Sequence, residues 1–120
     1  MRAGVDGVTR SAPTTFLIDN RLYPSFALEV LRVSFRAPHS KLRADPGGVN
    51  AVGIGHNSLI APTDRRGNIW PYFTKFSSDR YISIRKIMEG EVARHQIQGK
   101  IVLVGATAIG LGDHSPSPLY

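Results

Sequence analysis

The chain has 120 residues, of which 42% are hydrophobic and 20% charged, so one globular domain with its own core is feasible. The sequence contains no cysteine, which excludes disulfides, thiolate nucleophiles and cysteine-ligated metal sites. Fifteen basic and nine acidic residues give a formal charge of +6, with the basic residues scattered and densest at Arg65-Arg66 and Arg85-Lys86. Scattered pairs favour a basic solvated surface over a nucleic-acid site.

Neither a membrane span nor a signal peptide is predicted within these residues. No stretch approaches the roughly 20 apolar residues that a membrane span needs. The first residues, Met1 to Asp6, lack the apolar core of a signal peptide. If the protein works outside the cytoplasm, we therefore expect this chain to be a piece of a longer one.

The first half of the chain predicts a strand, a helix and a long loop. A run rich in β-branched residues predicts a strand over Thr14–Ile18, followed by a tight turn at Asp19–Arg21. Apolar residues at helical spacing predict a helix from Pro24 to Phe35, ending before Pro38. Breaker clusters predict a loop from 36 to 56, with one short extended segment at 52–55.

The second half predicts three further strands and a short helix. Ser58–Ala61 predicts an extended segment, and Pro62–Asn68 predicts a turn. An aromatic strand is predicted over Ile69–Phe73, at a sheet edge because Pro71 lies inside it. Ser83 is expected to cap a helix over 84–89, with Gly90 ending it.

The continuous apolar run Ile101–Val104 predicts a central strand that is covered on both faces and ends in a tight turn at Gly105. The expected fold is therefore α/β, with a layered mixed sheet and helices packed on it. The strand at 14–18 and a hairpin over 58–73 would extend the sheet, and the helix at 24–35 would cross one face. The residues from 106 to 120 are expected to wrap the end of the central strand.

The small-residue segment Gly105–Asp113 follows the predicted central strand, and ligands of open α/β sheets tend to bind beyond strand ends. It lacks the Lys-Ser/Thr pair of a phosphate-binding loop and the glycine spacing of a dinucleotide fingerprint. A structural turn or part of a small-ligand pocket both remain open. Asp64 and Asp113 could each bind a ligand or accept a proton, or could simply accept hydrogen bonds within a turn.

Residue types that mark catalysis or metal binding do not cluster along the chain. The four histidines are isolated from one another, and the nucleophile motif Gly-x-Ser-x-Gly is absent, so no metal and no cofactor is expected. Trp70, Tyr72 and Phe73 could stack on a ligand ring or on bases, although half-buried core positions are the more ordinary interpretation.

Five motifs occur in order along the chain and together suit one known family. They are Asp6-Gly7-Val8-x-Arg10, Leu22-Tyr23-Pro24-Ser25-x-Ala27-Leu28-Glu29, Ile60-x-Pro62-Thr63-Asp64-x-x-Gly67, Tyr81-Ile82-Ser83 through Gly90, and Gly99-Lys100-Ile101-Val102-Leu103-Val104-Gly105-Ala106-Thr107-Ala108-x-Gly110-Leu111-x-Asp113. This series resembles the second class of CHASE domain, the extracytoplasmic sensor of bacterial adenylate/guanylate cyclases, histidine kinases and Ser/Thr kinases. The resemblance covers nearly the whole chain.

The resemblance implies a ligand-sensing module that is not itself an enzyme. It implies one sensor domain over residues 1–120, an incomplete piece of a larger domain, on the periplasmic or extracellular side of an inner-membrane protein. Its partners would be an unidentified small-molecule ligand, the transmembrane and cytoplasmic output domains of the same parent chain, and a second copy if it forms a homodimer, but no nucleic acid. The residues expected to line a ligand pocket are Pro62, Thr63, Asp64, Gly67, Gly105, Thr107 and Asp113.

One position departs from the family's pattern. An acidic residue usually stands three places after the serine at 83, whereas this chain has Lys86. An acid there would complete a capping box and suit the positive end of the helix, so lysine is expected to weaken the helix by roughly 0.5–1 kcal/mol.

Two other functional classes remain open at this point. The charge of +6 and the aromatic residues would also suit a small basic nucleic-acid-binding domain. Asp64 or Asp113 would also suit a small hydrolase or transferase, for which the sequence indicates no substrate.

Overall fold

The structure, a computed structural model, describes residues 2–3, 6–55, 59–106 and 118–119 of the chain. The main body of the first of two compact units runs to Phe73, and the second unit begins at Thr74. The strands of the first unit are β1 (Arg2–Ala3), β2 (Thr9–Pro13), β3 (Thr15–Ile18), β4 (Arg21–Pro24), β5 (Ser40–Asp45), β6 (Gly48–Ile54), β7 (Leu59–Pro62) and β8 (Asn68–Ile69). Its helix is α1 (Phe26–Ser34).

The strands form three small sheets in the orders β1-β2-β8, β3-β4 and β5-β6-β7. Every pairing among the described residues is antiparallel. The strand predicted at 14–18 is confirmed as β3, which pairs with β4 around the predicted tight turn. Asp19 and Asn20 both have positive φ, 47° and 59°, as the two central residues of a type I′ hairpin turn require.

The predicted helix is confirmed, but it begins later than expected. Ser25 is the N-cap, and its hydroxyl accepts a hydrogen bond from the Leu28 backbone N–H at 3.3 Å. Pro24 was predicted in the first helical turn and is instead the last residue of β4, because the serine after it is the better cap. The helix ends at Ser34, and Arg36 follows with a φ of 50°, before Pro38.

The loop predicted from 36 to 56 is wrong, because most of it forms the hairpin β5–β6. The breaker cluster at 45–48 is the turn of that hairpin, where the Asp45 carboxylate accepts a hydrogen bond from the Gly47 N–H at 2.7 Å. The extended segment predicted at 52–55 is the end of β6. Turn residues indicate that the chain reverses direction, but they do not indicate whether the flanking residues form a loop or two paired strands. Here they form two paired strands.

The core of the first unit lies where α1 covers the β5-β6-β7 sheet. Its buried residues are Leu28, Ala37, Val52 and Ile54, with Leu31, Leu42 and Ala61 packed against them. Leu28 projects from the helix, while Val52 and Ile54 belong to β6, the central strand of that sheet. The predicted α/β class with a helix layered on a sheet is therefore confirmed.

The hairpin predicted over 58–73 is wrong. The extended segment predicted near 58–61 is confirmed as β7, but β7 pairs with β6, whereas β8 pairs with β2. The aromatic strand predicted at 69–73 is reduced to Asn68–Ile69, and Trp70 and Tyr72 are exposed. Pro71 removes a backbone donor just where the ladder would have to continue.

The first of the five sequence motifs, Asp6 to Arg10, is held together by hydrogen bonds to the Asp6 side chain. The Asp6 carboxylate accepts hydrogen bonds from both terminal nitrogens of the Arg10 guanidinium, at 3.0 and 2.6 Å, and from the Val8 N–H at 3.1 Å. These bonds, led by the one from Arg10, lower the pKa of Asp6 to about 2. The motif therefore stabilises the turn that leads into β2.

The second unit contains little regular structure. Its helix is α2 (Ile84–Met88), and single 3-10 turns lie at Ser78–Arg80 and Arg94–Gln96. The short helix predicted after Ser83 is confirmed, and Gly90 follows it with a φ of 74°. The Ser83 side chain makes no capping hydrogen bond, and the first turn of α2 has no acidic residue.

The central buried strand predicted at 101–104 is wrong for the described residues. Ile101–Val104 has no ladder partner there, and its side chains are exposed, Val104 by 82%. An apolar run becomes a central strand only where neighbouring strands satisfy its backbone and other layers cover its faces. The tail predicted to wrap this strand lies almost wholly outside the described residues. No helix of the described part has the length and apolar character to cross a bilayer.

Replacing Lys86 by glutamate should stabilise the second unit. Lys86 occupies the third position after the N-cap of α2, where an acid can bond back to the cap and favour the helix dipole. We expect K86E to raise the free energy of unfolding by about 0.5–1 kcal/mol in urea denaturation followed by circular dichroism. K75E, the same charge change outside any helix, is the control. An equal gain in K75E would show that net charge, not capping, is responsible.

Candidate functional site

The most tightly organised feature of the first unit is the loop between β7 and β8, residues Thr63–Gly67, called here the Asp64 turn. The Asp64 N–H donates to the Asn68 carbonyl at 2.9 Å, and the Gly67 N–H donates to the Asp64 carbonyl at 2.9 Å. The Asp64 carboxylate accepts from the Arg66 N–H at 2.9 Å and the Asn68 N–H at 2.8 Å through Oδ1. Its Oδ2 accepts from the Asn68 side-chain amide at 2.8 Å.

The Asp64 carboxylate therefore accepts hydrogen bonds within the turn. Of the two roles that the sequence left open for it, ligand or proton binding and turn formation, the structure shows turn formation. Its pKa is lowered, first by the hydrogen bond from the Asn68 side chain and then by the Asn68 backbone N–H. Asp64 is therefore ionised at neutral pH. A carboxylate that holds three donors is poorly placed to accept a proton from a substrate.

Two flanking strands hold the Asp64 turn in position. On one side, the Thr63 N–H donates to the Asn50 carbonyl and the Val49 N–H donates to the Arg65 carbonyl, both at 3.1 Å, so that the turn lies along β6. On the other side, Thr14 donates to the Gly67 carbonyl through both its backbone N–H, at 3.0 Å, and its hydroxyl, at 2.7 Å. The turn therefore bridges the β5-β6-β7 sheet and the β2–β3 junction.

Two glycines make this close packing feasible. Gly67 has a φ of 79°, a conformation that costs a residue with a side chain roughly 1–2 kcal/mol. Gly48, the first residue of β6, lies against the Asp64 turn, and a Cβ there would stand 2.3 Å from the Arg65 carbonyl oxygen. Any larger residue at 48 would push the turn away from β6.

A cavity of about 470 Å³ opens beside the Asp64 turn, called here the arginine pocket, and is lined by Ser11, Asp64, Arg65, Arg66 and Asn68. Arg65 and Arg66 are exposed, and neither forms an ion pair within the part of the chain that the structure describes. The side chain of Arg65 lies over Gly47, since a Cβ at Gly47 would stand 1.7 Å from Nη1 of Arg65.

A second cavity of about 340 Å³ lies along β5, β6 and β7, with Leu42, Val52 and Ile60 among its lining residues. It is a groove along the backbone of the sheet, and its charged residues, Lys41 and Arg43, lie on the single strand β5. The arginine pocket is the stronger candidate because its polar groups converge from β2 and from a turn that hydrogen bonds hold in place.

The structure brings together some of the residues predicted to line a pocket. Thr63, Asp64 and Gly67 share one turn, and Pro62 is the exposed last residue of β7, just before it. Of these four, only Asp64 lines the arginine pocket. Thr63 has a buried hydroxyl with no hydrogen-bond partner among the described residues.

The remaining predicted residues, Gly105, Thr107 and Asp113, belong to the C-terminal part of the chain. Gly105 belongs to the second unit and is exposed, and among the described residues no atom lies within 4 Å of where its Cβ would stand. Thr107 and Asp113 lie outside the described residues. No group of three His, Asp or Glu side chains in the described ranges is arranged to hold a metal ion.

Sequence reasoning missed Ser11, Arg65, Arg66 and Asn68 as site residues. The arginine pair stood out in the sequence, but as a surface charge with no indication of a cavity beside it. Ser11 lies in β2, more than fifty residues before the turn that it faces across the pocket. Only the pairing of β2 with β8 brings these residues to one place.

These features define a mixed α/β domain whose cavity is basic and carries no catalytic constellation within the described residues. A protein-family model described as CHASE2 domain matches residues 2–120. The chain therefore belongs to the CHASE2 domain family, a sensory rather than catalytic domain of signalling receptors. No curated protein and no solved structure matches the chain significantly.

The double hydrogen bond from Thr14 to Gly67 should contribute measurably to stability. T14V keeps the side-chain shape but removes the hydroxyl donor from a site where Thr14 is only 2% exposed. We expect the free energy of unfolding in urea to fall by about 1 kcal/mol. T15V is the control, because the hydroxyl of Thr15 makes no hydrogen bond that the described residues show. Equal losses in both variants would indicate a strand-propensity effect instead.

Asp64 should stabilise the fold in a pH-dependent way. Its folded pKa is lowered, so its contribution is complete above the unfolded value of about 3.9 and is lost as the pH falls through the folded pKa. D64N presents an amide to the Asn68 amide and should lower the unfolding temperature at pH 7. The difference from the wild type should shrink steadily below about pH 4. D79N, an exposed carboxylate of the second unit, is the control, and a D64N deficit that is the same at every pH would contradict the assignment.

Proposed function

We propose that this chain is the extracytoplasmic ligand-sensing module of a membrane-bound signalling receptor whose output domain is an adenylate/guanylate cyclase, a histidine kinase or a Ser/Thr kinase. The family match over residues 2–120 carries the proposal, because it spans both compact units and describes a sensory domain. The same span supports treating the two units as parts of one sensor domain. Transmembrane and cytoplasmic output domains would belong to the same parent chain.

The arginine pocket supports the ligand-sensing part of the proposal. Polar residues of β2 and of the hydrogen-bonded turn converge on this concave site, which suits a polar small molecule. The Asp64 turn lies between β6 and the β2–β3 junction, so a ligand held there would contact a loop that connects two sheets. Pro62, Thr63 and Gly67 would act by placing this loop, while Gly105, Thr107 and Asp113 would contribute from the C-terminal part of the sensor.

The signalling mechanism we propose is a population shift. A ligand that binds one arrangement of the sensor better than another favours that arrangement by the difference in binding free energy. The attached membrane helices would then follow the favoured arrangement. Because the ligand stabilises only the native state that binds it, the same event raises the unfolding temperature of the sensor.

The competing functional classes gain no support from the structure. The two densest basic pairs differ in role, since Arg85 forms an ion pair with Glu89 on α2 while Arg65 and Arg66 line a cavity. A single pair of cations on a turn supplies little of the phosphate neutralisation that non-specific nucleic-acid binding needs. A hydrolase or transferase using Asp64 would need a free carboxylate, whereas Asp64 is committed to its turn.

The absence of cysteine from the chain allows a direct test of its location. Tyr72 is 94% exposed, so Y72C in the full-length, otherwise cysteine-free protein should react readily with a maleimide. We expect a membrane-impermeant maleimide to label Y72C in intact cells as completely as in lysed cells. A cysteine placed in the output domain is the control and should react only after lysis. Labelling of Y72C only after lysis would refute the extracytoplasmic assignment.

A further inference from the structure

We propose that the arginine pocket binds an anionic group, a carboxylate or a phosphate, through the guanidinium groups of Arg65 and Arg66. This inference rests on the proposed function, because it gives the chemical class of the ligand that the sensor would detect. The anion could belong to a free small molecule or to a lipid headgroup, since both present the same chemistry. Three features favour an anion: the charge of the pocket, the fixed backbone of the turn and the space beside Gly47.

The charge of the pocket favours an anion. The ion pairs of the described residues use Arg10, Arg32 and Arg85, so the guanidinium groups of Arg65 and Arg66 keep their donors available. Asp64 lines the same cavity, but its two oxygens already accept three hydrogen bonds from Arg66 and Asn68. Among the lining residues, two guanidinium groups stand against one carboxylate, so the lining carries a net positive charge. The Asp45 carboxylate lies near the Arg65 guanidinium, but its oxygens accept hydrogen bonds from the Gly47 N–H and the Asn50 side-chain amide.

The backbone beneath both arginines is held in place before any ligand arrives. The Arg65 carbonyl accepts a hydrogen bond from the Val49 N–H, and the Arg66 N–H donates to the Asp64 carboxylate. Two neighbouring arginines on a mobile loop would lose conformational entropy on closing around an anion. Here that loss is confined to their side chains, which favours binding.

Gly47 gives Arg65 its position over the β5–β6 turn. A Cβ at residue 47 would overlap Nη1 of Arg65 at 1.7 Å and approach its Cζ at 2.8 Å, so a glycine there leaves room for the guanidinium beside the backbone. A methyl group at 47 would displace the guanidinium without removing its charge. A substitution at Gly47 therefore tests the position of the Arg65 guanidinium while its charge is kept.

The geometry of the donors indicates which anions fit. A guanidinium presents parallel N–H groups that match the two oxygens of a carboxylate or phosphate, and Ser11 on β2 is a further polar residue of the lining. The cavity volume of about 470 Å³ is in the range of metabolite sites. A compact carboxylate or phosphate compound therefore suits the pocket better than a large apolar ligand.

The test is isothermal titration calorimetry of the full chain with inorganic phosphate and with succinate at low ionic strength. We expect saturable binding to at least one of them, weakened about tenfold or more by R65A and by R66A, since each removes charge-assisted hydrogen bonds. G47A should also weaken binding although it leaves both charges in place. R21A removes the same charge from the exposed strand β4 and should leave the affinity within about twofold of the wild type.

Sedimentation with vesicles distinguishes the two sources of the anion. Binding to phosphatidylglycerol vesicles but not to phosphatidylcholine vesicles, lost in R65A and R66A and kept in R21A, would assign the anionic group to a lipid headgroup. Absence of saturable binding to phosphate, succinate and anionic vesicles would overturn the inference, and so would equal losses in R21A and R66A. The maleimide labelling of Y72C does not depend on these residues. The proposed location of the sensor and the proposed anionic ligand can therefore be refuted independently of each other.

Discussion

The first unit is organised around the buried threonine that joins β2 to β3. Thr14 donates twice to the Gly67 carbonyl, and its own carbonyl accepts a hydrogen bond from the N–H of Ser25, the N-cap of α1, at 2.8 Å. One residue therefore fixes the end of the Asp64 turn and the start of the helix. Because β2 and β8 pair immediately beside it, the small sheets of this unit share a common anchor.

The arginine pocket is a consequence of this anchor. The Asp64 carboxylate accepts hydrogen bonds from the backbone donors of its own turn, and the two arginines that follow it line the cavity beside the turn. One loop therefore contains both kinds of group. Its carboxylate stabilises the turn, and its two guanidinium groups have no ion partner in the described part of the chain. In a sensory domain, this arrangement would let the arginine side chains bind a ligand while the hydrogen-bonded backbone of the turn holds them in place.

Elements stabilised by nearby residues were predicted well from the sequence. Hydrogen bonds between residues at most four positions apart form part of each of them: the turn at Asp19-Asn20, the capped helix α1, the Asp64 turn and α2. The β5–β6 hairpin was missed because its turn residues were taken to mark a loop. The strand expected at 101–104 was also wrong, because an apolar run does not specify whether other strands will cover it.

The sequence by itself determined the family, the α/β class and the local turn chemistry, because ordered motifs and short-range hydrogen bonds are encoded within a few residues. Only the tertiary structure decided which strands pair and which side chains meet. Thr14 and Gly67 are 53 positions apart, and Ser11 reaches the arginine pocket only through the pairing of β2 with β8. Contacts of that range depend on how layers pack, and neither residue spacing nor composition specifies that packing.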